Sequence, residues 1–256
     1  MPDFRRNPKK ILAPKVMIIN FRPAAVPSIW TQADTLANAY KQTMRSLSAD
    51  TVIYQIVKRK TVSYFPVLED GRQYTDATWT QARQDDRLAY RDAHGNYVFA
   101  NYLKIAQDFD LLALVRDKAI DEVWMFGGPY FGFYESRMVG RNALWCNAPP
   151  LEQPGRRFVM MGFNYERDVK EMVHNFGHRA ESILGAKYGS MAFVNQLYSA
   201  QPALTSAPAN DFEQFLATYG TTHAPPGGPN YSQDEAAWVK KFKPEWFPPT
   251  VDPNKV

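Results

Sequence analysis

After a basic and polar start, the first apolar run is Val16, Met17, Ile18 and Ile19, ending at Phe21, Arg22 and Pro23. A continuous run of that length stopped by proline predicts a buried strand over 15–20. Ile29, Leu36, Ala39, Tyr40, Met44 and Leu47 recur at helical spacing, which predicts a helix over 28–47 capped by Ser28. A second strand is expected over 51–57. From 61 to 97 the pattern dissolves into Asp-Gly, His-Gly-Asn and scattered aromatics, an irregular excursion of short strands and loops with room for one helix. Helical spacing returns over 102–118, and a strand over 122–126 runs into Gly127-Gly128-Pro129. Another apolar strand spans 157–163. The helix behind it, over 165–184, is closed by Gly185 in the C-cap role. Shorter helices over 190–198 and 211–219 lead to a loop over 221–229 rich in Pro and Gly. The tail beyond 242 packs through Trp246 and Phe247.

This alternation predicts an α/β fold, a largely parallel sheet flanked by helices, in a single domain over 1–256 with a proline-rich C-terminal tail. Ligands of such sheets sit outside the carboxyl ends of the strands. Those ends carry Arg22, the turn 127–130 with Glu135 nearby, and 164–166, so Arg22, Tyr130 and Glu135 are candidate substrate-binding residues.

Composition narrows the chemistry by exclusion. Lys plus Arg is 30 and Asp plus Glu is 26, a net charge of +4 dispersed along the chain, which is no footprint for a nucleic-acid partner. No stretch approaches the ~18 apolar residues of a membrane span. The chain is expected to be soluble as given, and the mature domain of a secreted bacterial protein would read the same way. The single cysteine, Cys146, sits beside Leu144 and Trp145 and reads as a buried, inert thiol. Ser136 and Ser190 lack the Gly-x-Ser-x-Gly elbow, Gly127-Gly128 opens no dinucleotide fingerprint, and there is no Walker sequence.

Four histidines occur, and two of them are four residues apart. At ~100° per residue Glu171, His174, His178 and Glu181 fall within a stripe of roughly 80°. Met172, Val173, Phe176, Ala180, Ile183 and Leu184 gather on the other side, which must face the core. Histidines at i and i+4 aim their ring nitrogens at one point, the spacing Zn²⁺ needs from two ligands of a tetrahedral site. Gly177 between them leaves room for another backbone to approach. The plainer reading is a solvated polar face on which Glu171 and Glu181 pair with the histidines. His223, held in a Pro/Gly loop, is placed to fold over the site as a third metal ligand or a substrate contact, the plainer reading being an exposed loop histidine, whereas His94 in His-Gly-Asn reads as a turn residue.

His174-Asn175-Phe176-Gly177-His178 resembles the His-Glu-Phe-Gly-His form of the zincin metallopeptidase helix, in which the two histidines bind zinc and the glutamate is the general base. The resemblance covers about ten residues and implies ligand roles for His174 and His178. Asn175 stands where the base would be, so Glu171 or Glu181 must supply it, with Glu181 alternatively a metal ligand. Segments 127–135 and 144–150 are similar to parts of uncharacterised bacterial secreted proteins often joined to carbohydrate-binding modules.

One geometric conflict stands out. At ~1.5 Å per residue, a helix running back from the strand end places His174 roughly 13 Å from the usual crevice. The histidine face then points away from the sheet and needs a cover, for which the excursion 61–97 and the His223 loop are candidates. The function expected is a Zn²⁺-dependent hydrolase of an extracellular polymer, glycan or peptide. The alternatives are a metal-free carbohydrate-active or carbohydrate-binding domain using the strand-end cleft, and a scaffold or adhesion module without catalysis.

Overall fold

The computed structural model describes residues 11–198, 207–223 and 235–247. Its centre is one six-stranded sheet in the order β2-β1-β3-β6-β4-β5. β1 (Lys15–Phe21), β2 (Gln55–Val62), β3 (Glu122–Gly127) and β6 (Phe158–Asn164) run parallel. β4 (Ser136–Gly140) is antiparallel to β6, and the two-residue β5 (Leu151–Glu152) lies parallel to β4. Helices surround this sheet, so the α/β arrangement with a largely parallel sheet is the observed one.

The continuous apolar runs become the central strands because both of their faces are covered. Every residue of β3 is buried, and Trp124 meets Tyr40 of α1 (Ala33–Leu47) at 5.1 Å between ring centroids. Phe21 belongs to the opposite face, packed against Tyr64, Phe109 and Phe133. The excursion contains α2 (Asp76–Gln84) and supplies much of that second layer. Three further helices stand before and after the long one: α3 (Tyr102–Asp108), α4 (Leu111–Arg116) and α6 (Met191–Tyr198). α7 (Asp211–Tyr219) and α8 (Glu235–Val239) close the far side, where Trp238 is buried and Trp246 and Phe247 are buried as expected of the tail's aromatics. Residues 224–229 of the expected loop and 248–256 of the tail lie outside the described residues.

Several element boundaries differ from the expectation for identifiable reasons. α1 starts at Ala33 after Gln32, not at Ser28, because 27–30 form a turn in which Ile29 is 90% exposed. β2 extends to Val62 through Lys58, Arg59 and Lys60, an exposed edge whose pairing leaves no apolar pattern. The helix expected over 102–118 is two helices, broken at Asp110 with φ +54°. β4 was unexpected, since Ser136, Arg137 and Gly140 do not read as a strand, yet all five residues are buried. α5 runs Val169–Tyr188 rather than 165–184. Asp168 caps it by accepting from the Lys170 N–H, and Gly189, at φ +68°, ends it in place of Gly185. Among the described residues no helix is long and apolar enough to cross a membrane.

Candidate metal centre

α5 supplies the first two candidate ligands one turn apart. The His174 and His178 rings meet edge to face at 4.7 Å, and their Nε2 atoms are 3.1 Å apart. The third comes from the turn after α7. Gly220 leaves the helix at φ +76°, Thr221 and Thr222 bury themselves against α5, and His223 Nε2 arrives 3.0 Å from His178 Nε2. A close approach does occur at Gly177, made by the Thr222 side chain and not by a backbone: a Cβ on Gly177 would stand 2.7 Å from Thr222 Oγ1. One ligand atom from each of His174, His178 and His223 lies within 4.8 Å of the others, close enough to hold a metal ion.

Buried carboxylates orient two of the rings. His174 Nδ1 is 3.0 Å from Glu235 Oε1, and Glu235 is 2% exposed at the start of α8. With Nδ1 donating to that carboxylate, the His174 Nε2 lone pair faces the cluster. His178 Nδ1 faces Glu181 Oε2 at 3.7 Å. Glu181 is itself fixed by the Tyr198 hydroxyl at 2.5 Å and the Thr222 N–H at 2.7 Å. Burial lifts its pKa to about 7 against the pull of those two hydrogen bonds.

The electrostatics favour the neutral, ligand form of His178 and His223. Burial, followed by repulsion from His174 and His223, drives His178 down to about 3. Burial and His174 also lower His223, with Glu235 opposing. The Nε2 atom of His178 lies close to those of both His174 and His223, so the three rings bring ligand atoms around one point where a cation can be held. Three histidine nitrogens with carboxylates behind them match what Zn²⁺ takes from a protein when a fourth position stays open.

Glu135 approaches the cluster from the sheet, its Oε2 3.5 Å from His178 Nε2. This is possible because the segment 133–135 crosses tightly over β6. The Gly162 N–H donates to the Tyr134 and Glu135 carbonyls, and a Cβ on Gly162 would stand 2.5 Å from both Phe133 Cβ and Tyr134 O. The Glu135 carboxylate accepts from the Asn147 amide. Burial raises its pKa, His174 counters, and Glu171 reinforces the rise.

Glu135 also lines a cleft of about 480 Å³ at the carboxyl ends of β3 and β6, together with Tyr130, Asn164, Asp168, Glu171 and Asn175. The expected separation of crevice and histidines is thereby bridged. The antiparallel β4 starts beside the end of β6 and delivers Glu135 from crevice to helix. The covering segment over the histidines is the His223 turn, while Tyr97, Val98 and Phe99 near the end of the excursion line the cleft instead.

No protein-family model, curated protein or solved structure matches this chain.

The remaining sequence candidates fall in three places. Tyr130 and Glu171 line the cleft, Glu171 paired with Arg167 at 2.9 Å. Glu181, placed by sequence among catalytic groups, is 3% exposed behind His178 and does not line the cleft. Arg22 also stands outside it, donating to the Pro27 carbonyl at 2.9 Å and lying 4.9 Å over the Tyr165 ring. Asn175 donates to the Gly162 carbonyl at 2.7 Å, so its amide ties α5 to β6. Cys146 is fully buried and its thiol is pushed up to about 11 by burial, and His94 lies in an exposed turn. Sequence reasoning missed Glu235, Asn147 and Tyr198. Only the need of a buried histidine for a partner pointed toward Glu235.

Proposed function

We propose that the protein is a metal-dependent hydrolase in which His174, His178 and His223 hold a divalent cation, Zn²⁺ by the chemistry of the donor set, and Glu135 is the general base. The observation that carries this reading is the meeting of three histidine Nε2 atoms with a carboxylate, Glu135, that among the described residues both lines the cleft and reaches His178 Nε2. When bound, the cation supplies Lewis acidity and makes a water molecule acidic enough to be a nucleophile near neutral pH. Glu135 takes over the role sought first in Glu171 or Glu181. Its raised pKa suits a group that accepts a proton from water and returns it to a leaving group. Glu235 and Glu181 act on the histidines, fixing ring orientation and basicity. Glu171 and Arg167 stand on the cleft wall as substrate contacts. The substrate proposed is an extracellular polymer, glycan or peptide, and the expectation of secretion belongs with that proposal.

Metal analysis of protein purified without a histidine tag tests the reading. About one equivalent of zinc is expected in the wild type and none in His178→Ala, with the wild type losing several degrees of Tm in chelator and the variant unaffected. Wild-type protein that carries no metal, takes up none when zinc is supplied, and melts identically with and without chelator would contradict it.

A further inference from the structure

The cleft that ends at Glu135 has walls the metal centre does not use. Tyr97 and Tyr130 line it with ring centroids 5.7 Å apart. Both hydroxyls donate to the same oxygen of Asp86, Tyr130 at 3.0 Å. Arg91 holds Asp86 at 2.6 Å and covers the Tyr97 ring with its guanidinium carbon 4.1 Å from the centroid. With the hydroxyls engaged, the pair offers aromatic faces that are fixed before any ligand arrives, and Tyr97 is 44% exposed. Asn164, Arg167, Asp168 and Glu171 supply donors and acceptors along the same cleft.

A pyranose ring matches that combination, with an apolar C–H face to stack and hydroxyl edges to hydrogen-bond. An extended peptide would instead add to a free strand edge. Neither edge strand, β2 nor β5, contributes a residue to the cleft.

The carboxylates constrain which bond is broken. Acid–base cleavage of a glycosidic bond needs two carboxyl groups flanking it. Glu181 and Glu235 are turned onto buried partners, Glu171 is paired with Arg167, and Asp168 caps α5. Glu135 is thus the one carboxylate, among the described residues, that both lines the cleft and reaches the histidine nitrogens. A single carboxylate beside a Lewis-acid site suits water attack on a carbonyl carbon.

Resting on the metal centre proposed above, we propose that the cleft takes an acylated carbohydrate and removes the acyl group. The water oxygen bonds to the acyl carbon and the C–O or C–N bond to the sugar breaks. The proton Glu135 took from water goes to the departing hydroxyl or amine, so the products are a free carboxylic acid and the deacylated sugar.

The test uses tetra-N-acetylchitotetraose and O-acetylated xylotetraose with the zinc-loaded protein. Acetate release is followed for the wild type and Glu135→Gln, and binding by calorimetry in His178→Ala, which separates sugar recognition from chemistry. Acetate is expected from at least one oligosaccharide without shortening of the chain, and Glu135→Gln should bind but release none. In the His178→Ala background, Tyr97→Ala should weaken binding about tenfold, whereas Tyr97→Phe, which keeps the ring, should bind nearly normally. A zinc-loaded protein that binds neither oligosaccharide, that shortens the chain without releasing acetate, or that instead cleaves casein overturns the proposal while the metal centre stands. Failure to hold zinc overturns both, and metal analysis reads that outcome separately.

Discussion

α5 carries two buried polar clusters on adjoining faces, and they are built oppositely. Toward the sheet, Arg179 grips Glu122 with two bonds of 2.8 and 2.7 Å, both side chains at most 4% exposed, and Trp124 donates to the same carboxylate at 3.3 Å. Charges of opposite sign meet and cancel there, although the Arg179 Nε is left without a hydrogen bond. On the adjoining face, beginning with the neighbouring His178, three imidazoles gather with the His178 Nε2 3.1 and 3.0 Å from those of His174 and His223, and the Glu135 carboxylate 3.5 Å from His178 Nε2 lines a cleft. A buried polar cluster whose charges cancel supports the fold. One that gathers metal-ligating nitrogens beside a cleft-lining carboxylate is where we propose that the chemistry takes place.

The largest effect that separates the two belongs to the closed pair. Arg179→Met leaves Glu122 buried and unpaired and should cost about 3–5 kcal/mol, read as a fall in Tm that is the same with and without chelator. If that loss appeared only when metal was present, the division between the clusters would fail.

A smaller effect is expected behind the open cluster. Glu235→Gln keeps the shape of the side chain but removes the charge that orients His174, and should weaken zinc binding about 10–100-fold by competition titration. In chelator its melting should stay close to that of the wild type. Zinc affinity unchanged by this variant would mean that Glu235 does not act through His174.

The finest distinction is a pH response located in the open cluster. His178, held to about 3, stays neutral where an unfolded-chain histidine, near 6.5, binds a proton, so apo-protein stability falls as pH drops from 6.5 toward 3. Glu181 works in the reverse sense. It remains protonated up to about 7 in the fold and ionises above 4.5 when unfolded, so stability falls as pH rises between those values. The two slopes oppose each other between 4.5 and 6.5. Glu181→Gln removes one of them, and in chelator its Tm should drop more steeply than that of the wild type as pH falls through this window. Parallel curves would contradict the assignment of both groups.

What sequence could reveal follows the same division between local and assembled features. The parallel strands β1, β3 and β6 were legible because they are covered on both faces and carry continuous apolar runs. β2 was expected over 51–57 and lies at 55–62, because its outer part is an exposed Lys/Arg edge, while β4 was missed because it buries Arg137 by giving it the Pro149 carbonyl and Glu69. His174 and His178 were legible because helical periodicity alone places them together. His223 showed only as a histidine in a glycine-bearing loop. Glu135 carried a signal for the strand-end cleft and none for the histidines. Its approach depends on the tight crossing over Gly162, a tertiary contact that no local spacing encodes. Glu235 reaches His174 only through the docking of α8 onto α5.

The central claim is that the three imidazoles surround one cation. Crystals of the protein grown with zinc, measured on both sides of the zinc absorption edge, test it most directly. An anomalous peak about 2.0–2.1 Å from Nε2 of each of His174, His178 and His223 is expected, on the side that faces Glu135. Full-occupancy zinc bound elsewhere, with the three rings left in contact through their nitrogens, would contradict the claim.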